Sequence, residues 1–212
     1  MDMEIWDRLK DENIPVLPMR QVSTAAEAVE AAKALGYPVV MKILSPDISH
    51  KSDVGGVVLD LGSDGEVKEA YHKMMERVTS QVPGASIQGV MLQKMARSGL
   101  EVIIGAKKDP QFGHVIMFGL GGIFVEICKD VSFRVTPVNR EMAQQMILEI
   151  KGSPILGGAR GRTAVDIEAM IDVITGLSRL LEKHPEIVEL DINPLVVYPK
   201  EAIAVDARML VD

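Results

Sequence analysis

Cysteine is almost missing from this chain: Cys128 stands alone among 212 residues. One thiol closes no internal disulfide and builds no multi-cysteine metal site. A reducing, cytoplasmic setting fits that usage. Excess positive charge is missing too. The formal net charge of −7 gives no attraction to phosphate backbones and excludes general nucleic-acid binding. A polyanionic ligand must instead be held by a few local cations or by backbone N–H groups. No apolar run reaches the roughly 20 residues of a membrane-spanning helix. The charged opening, MDMEIWDRLKDENIP, has no apolar stretch suited to export. There is no internal repeat and no low-complexity segment, and the Walker pattern G-x-x-x-x-G-K-[ST] is absent.

What remains is ordinary globular material, with 47% hydrophobic and 25% charged residues. Thr24-x-x-Glu27 reads as a capping box, and Ala25, Ala28, Val29, Ala32 and Leu35 follow helical spacing up to Gly36. Pro38 to Leu44 is strand-like, and so are Val57 to Leu61 and Ile87 to Met95. Between the last two, Ser63-x-x-Glu66 opens a helix with Val67, Ala70, Tyr71, Met74 and Val78 on one face. A second part begins near Ser98-Gly99. Glu101 to Lys107 and His114 to Leu120 read as strands joined across Asp109-Pro110, and Val131 to Val138 reads as a third. Ala143, Met146, Ile147 and Ile150 mark a helix. The glycine-rich stretch from Gly152 to Gly161 leads into another helix, carrying Ile167, Met170, Ile171, Ile174, Leu177 and Leu181. Ile187 to Val197 and Ala202 to Asp206 form a hairpin. The expectation is an α/β (α+β) chain of two lobes, residues 1–97 and 98–212, with a cleft between them.

Five features carry chemistry. In PVVMKIL, strand alternation sets Val40, Lys42 and Leu44 on one sheet face and Val39, Met41 and Ile43 on the other. Lys42 is either an edge-strand lysine that discourages aggregation or a cation aimed at a nucleotide phosphate. The loop SPDISHKSDVGGV follows, with His50, Lys51 and the pair Gly55-Gly56, whose N–H groups could cradle an anion; a plain hairpin connection is the alternative. Gly119, Gly121 and Gly122 invite a dinucleotide-binding reading, but Phe124 stands where the third glycine is required. Glu126, after that turn, reads equally as a metal ligand or a solvated carboxylate. In IVELDINPLVV, Val188, Leu190 and Ile192 share one face and Glu189, Asp191 and Asn193 the other. If the turn centres on Pro199-Lys200, residues whose numbers add to 399 face each other, which sets Asn193 opposite Asp206; proline resists the primed two-residue turns, so the expected connection is a four-residue loop from Tyr198 to Glu201, in the same register. A carboxylate and an amide oxygen then converge, suiting Mg²⁺ that completes its shell with substrate phosphates; a solvent-facing polar strand is the alternative.

GYPVVMKI, SPDISHKSDVGGVVLDL, GLEVIIGAKKDPQFGHVIMFGLGGIFVE and ELDINPLVV with AVDAR, in that order, resemble the ATP-grasp family, in particular the β subunits of ADP-forming acyl-CoA synthetases. The resemblance runs from about Ile14 to Leu210. It implies an ATP-grasp fold with the nucleotide held between two lobes, ATP/ADP and Mg²⁺ as cofactors, and a separate CoA-binding α subunit in a hetero-oligomer. It further implies that Lys42 contacts nucleotide phosphates, with Lys51, Gly55 and Gly56 on the adjoining loop. By the same likeness Gln93-Lys94-Met95 is the hinge whose backbone holds adenine, and Glu101 binds the ribose hydroxyls. Asn193 and Asp206 match the Mg²⁺ ligands, Glu126 another acidic residue, and His50 a loop histidine that carries phosphate. Arg134 and Arg160 receive no role. The alternatives are an ATP-grasp carboxylate–amine ligase, which needs no phosphorylated histidine, and a nucleotide-sensing module without turnover.

Overall fold

A computed structural model describes residues 3–48, 51–122, 129–158 and 163–212. The chain divides into two compact units, Leu17–Arg97 and Met3–Val16 with Ser98–Asp212.

The first unit holds β1 (Met19–Val22), α1 (Ala25–Leu35), β2 (Val39–Leu44), β3 (Val57–Leu61), α2 (Asp64–Gln81) and β4 (Gly89–Lys94). Its four strands pair antiparallel in the order β1-β4-β2-β3. Both helices begin at the residues their caps dictate. Thr24 Oγ1 accepts from the Glu27 amide at 3.2 Å, and the Glu27 carboxylate reaches back to the Ser23 amide at 2.8 Å. Ser63 and Glu66 repeat the arrangement, with Glu66 accepting from the Gly62 amide at 2.7 Å. Each reciprocal pair satisfies donors that the first helical turn leaves open. Val39, Met41, Ile43, Val90 and Leu92 face the helices and pack against Ala28, Ala32, Val67, Tyr71 and Met74.

The second unit is a six-stranded antiparallel sheet. Its strands are β5 (Leu100–Asp109), β6 (Gly113–Leu120), β7 (Val131–Val135), β8 (Ile187–Tyr198), β9 (Glu201–Ala204) and β10 (Ala207–Val211). The order runs β10-β8-β5-β6-β7, with β9 also on β8. Helices α3 (Arg140–Glu149) and α5 (Ile167–Lys183) pack on the sheet, and a short α4 (Ser153–Leu156) lies in the glycine-rich stretch. Met170, Ile171, Ile174, Leu177 and Leu181, the stripe visible in the sequence, are all buried. Among the described residues no helix is long and apolar enough to cross a membrane.

Three features differ from expectation. The first residues, assigned above to the N-terminal lobe, pack with the second unit through a helix, αN (Met3–Asp11). Ile5, Trp6 and Leu9 are buried, and the buried Glu12 accepts from Arg179 at 3.0 Å and from Lys183. The third strand stops at Val135 rather than Val138, because Pro137 offers no amide to a ladder. The C-terminal hairpin runs on past Asp206 into β10, which returns along β8 as far as Val211.

Candidate nucleotide and metal site

Lys42 lies on β2 between β4 and β3, so it is not an edge-strand residue and the anti-aggregation reading fails. It is 6% exposed, on the face opposite the helices, with Val40 and Leu44. A cation this buried is retained at a desolvation cost.

The loop after β2 does connect a hairpin, since β2 and β3 are antiparallel neighbours. Its glycines differ from the expected anion cradle. The Gly55 amide donates to the Ser52 carbonyl at 3.1 Å and the Gly56 amide to that of Lys51 at 2.7 Å, so both N–H groups close the turn. Gly55 has φ +67°, and a Cβ on Gly56 would stand 2.4 Å from Ile43 Cγ2. These glycines serve conformation and close approach. His50, Glu126 and Arg160 lie outside the described residues.

Gln93, Lys94 and Met95 end β4 and follow it. The Lys94 and Met95 amides donate to the Pro18 and Pro38 carbonyls at 2.9 and 3.2 Å. The Lys94 ammonium donates to the Gly36 and Tyr37 carbonyls at 2.6 and 2.9 Å, tying the segment to the start of β2. Gln93 is wholly buried.

In the second unit, Glu101 is exposed near the start of β5. Its carbonyl accepts from the Gly121 amide at 2.8 Å, and a Cβ on Gly121 would lie 3.0 Å from the Glu101 Cβ and carbonyl oxygen. The glycine run that fails as a dinucleotide motif therefore has a packing reason. The neighbouring backbones of β5 and the residue after β6 approach closely here, beside an acidic side chain.

The C-terminal hairpin keeps the anticipated register. Leu195 pairs with Ala204 and Tyr198 with Glu201, so the connection is the two residues Pro199-Lys200 and not the expected four-residue loop, and the Asn193 amide donates to the Asp206 carbonyl at 3.0 Å. The same register continues in β10, where Ala207 pairs with Ile192 and Arg208 with Asp191. Asp206 sits where the returning chain breaks between β9 and β10, its Oδ1 accepting from the Ala207 amide at 3.1 Å. On the other side of β8 the ladder with β5 slips between Val102 and Ile104. One β5 residue there spans Asn193 and Pro194, because proline cannot donate; bulges of this kind re-aim side chains. Asn193 is exposed and Asp206 half-buried. Among the described residues no three His, Cys, Asp or Glu side chains gather as a metal cluster. An amide oxygen and a carboxylate are of the ligand types that a hard cation takes together with phosphates and water.

Sequence reasoning set Asp191 on this face but gave it no role. Asp191 faces Gly105, where an added Cβ would stand 2.7 Å from its Oδ1. The two belong to a cavity of about 260 Å³ lined also by Lys107, Met117, Phe133 and Glu189. Burial, helped by the Glu189 charge, pushes the Asp191 carboxyl up, against the pull of Arg208. The signal was the charged member of an alternating strand opposite a glycine. Arg134 pairs with Glu149 at 2.5 Å and joins β7 to α3.

The ATP-grasp domain model matches residues 2–211. The β subunit of ADP-forming acetate–CoA ligase I from Pyrococcus furiosus is 50% identical over 210 residues, which are 99% of this chain and 90% of that one. An acetyl-coenzyme A synthetase 1 from Ca. Korarchaeum cryptofilum, solved with coenzyme A and Ca-AMPCP, superposes with a TM-score of 0.96 at 45% identity, over 99% of this chain and 92% of that one. Another structure of that enzyme, with Mg-AMPPCP and a phosphohistidine segment pointing towards the nucleotide site, gives 0.87 at 42% identity, covering 100% and 92%. The chain belongs to the ATP-grasp family, in the branch that contains the β subunits of ADP-forming acetate–CoA ligases.

Proposed function

We propose that this chain is the nucleotide-handling β subunit of an ADP-forming acyl-CoA synthetase and works with a CoA-binding α partner in the cytoplasm. The geometric observation that carries the reading is the pairing of Asn193 with Asp206 across β8 and its return, beside a bulge in the β5–β8 ladder at Asn193-Pro194. The likeness to acetate–CoA ligase β subunits over nearly the whole chain supports the reaction class.

In this reading Lys42 offsets nucleotide phosphate charge, Glu101 binds ribose hydroxyls, and the backbone of 93–95 lines the base. Asn193 and Asp206 would hold Mg²⁺, which when bound screens the charge that builds up on the transferring phosphoryl group. His50 receives that group: an imidazole nitrogen forms the N–P bond as the Pγ–O bond to ADP breaks, and the reverse step makes ATP. A neutral imidazole near pH 7 suits both directions. Lys51 beside it compensates charge on the phosphorylated ring. The partner then exchanges phosphate between histidine and the acyl group.

The test is reconstitution. The chain with a CoA-binding partner should form ATP from acetyl-CoA, ADP and phosphate, and the chain alone should not. Full turnover by the single purified chain, or none with any such partner, would overturn the proposal.

A further inference from the structure

The loop after β2 is fixed on both sides of residues 49–50. On the entry side Ile48 is buried in the core, and the Asp47 carboxylate accepts from the Ser86 amide at 2.7 Å. On the exit side stands the closed turn 51–56. Val54 packs against the core, and the Ile43 amide donates to the Gly56 carbonyl at 2.7 Å, which ties the end of the turn to β2.

Arg77 on α2 reaches the same turn. Its side chain lies across Gly55, where an added Cβ would stand 2.6 Å from Cδ, 2.7 Å from Nε and 2.8 Å from Cζ. Three consecutive atoms at nearly one distance mean that the arginine lies flat on the glycine. Any larger residue at position 55 would push it away, besides being strained at φ +67°. Nothing else on its helix accounts for this placement. The residues three and four positions from Arg77 are Lys73, Met74, Ser80 and Gln81, none of them acidic. Lys73 pairs with Glu69 at 2.6 Å, whereas Arg77 forms no ion pair among the described residues. Behind the contact, α2 and β3 do not close on each other. A cavity of about 350 Å³ lies there, lined by Gly55, Val58, Leu61, Ala70, Met74 and Arg77 among others. The turn has room to shift, and Arg77 spans the gap.

We propose that Arg77 is a positioning residue for phosphoryl transfer. By lying on Gly55 it holds the turn 51–56 in one place, and so sets where the preceding residue, His50, is presented. This rests on the functional reading above, in which His50 takes the phosphoryl group. Arg77 acts through the turn and not on the nucleotide, so its effect falls on rate and not on binding.

Labelling of the 212-residue chain by γ-labelled ATP with Mg²⁺ is timed for wild type, Arg77→Ala, Arg77→Lys, Gly55→Ala and the double variant. ATP affinity is measured by calorimetry and the folding of each protein by thermal unfolding. Arg77→Ala should slow labelling roughly tenfold and leave ATP affinity unchanged. Arg77→Lys keeps the Cδ that lies nearest Gly55 and should recover most of the rate. Gly55→Ala drives a methyl into the same space and should also be slow. The double variant should be no slower than Gly55→Ala alone, because the two changes break one contact. Labelling of Arg77→Ala at the wild-type rate would overturn the proposal, and so would losses that multiply in the double variant. A parallel loss of rate and ATP affinity in Arg77→Ala would overturn it too, since a general loosening of the unit does that. If wild type takes up no label, the functional reading itself fails and this proposal falls with it.

Discussion

Three residues carry the account at the smallest scale: Lys42, 6% exposed in the interior of the first sheet, and Asn193 and Asp206, joined by a backbone hydrogen bond of 3.0 Å. Lys42 was placed on its face by alternation alone, and the structure removes the edge-strand alternative by adding β3 outside it. Asn193 and Asp206 followed from turn arithmetic, because an antiparallel register fixes every later pair once the turn is set. Gly55 and Gly56 were less legible: a glycine pair permits an anion cradle and a closed turn alike, and only the hydrogen bonds distinguish them. Two substitutions test this scale. Asp206→Ala should lower turnover of the reconstituted enzyme by roughly 100-fold or more, with thermal unfolding close to wild type; steady-state kinetics with a melting curve check both. Gly121→Ala should cost about 1–3 kcal/mol of stability, because the methyl meets Glu101 at 3.0 Å and both backbones are fixed. Denaturant unfolding measures the loss, and a raised KM for ADP should accompany it as Glu101 is displaced.

At the scale of elements, long amphipathic segments announced themselves and short ones did not. α2 and α5 carry capping residues followed by extended apolar stripes. αN has nine residues, and its charges dominate its composition; only Ile5, Trp6 and Leu9 are buried. β1 and β10 are four and five residues with little alternation, and are strands because their neighbours offer free edges. The docking of αN makes a pH prediction. Burial works to raise the Glu12 carboxyl, but hydrogen bonds from Lys183 and Arg179 outweigh it and hold the group below its usual range. A depressed folded pKa means stability that is full above the unfolded value and is lost as pH falls through the folded one. Unfolding free energy should therefore fall below about pH 4, and Glu12→Gln should flatten that part of the profile. At pH 7 the variant should lose about 2 kcal/mol. An unchanged acid limb would remove Glu12 from the account.

For the whole molecule, the proposed division of labour sets phosphates, ribose and metal on this chain and CoA on its partner. Net charge of −7 leaves phosphate binding to a few placed cations. High salt should therefore weaken nucleotide binding only modestly, in contrast to a protein that binds phosphates through a broad basic surface; titration of ADP at two ionic strengths decides this. The central claim is that phosphate passes through the chain itself. The direct measurement is phosphate transfer to wild type and to His50→Ala, supplied with Mg²⁺ and ATP labelled in the γ-phosphate, or with partner subunit, acyl-CoA and labelled phosphate. The account predicts acid-labile label on the wild-type chain and none on the variant, with turnover lost as well. Equal label on both proteins, together with undiminished turnover by His50→Ala, would contradict it.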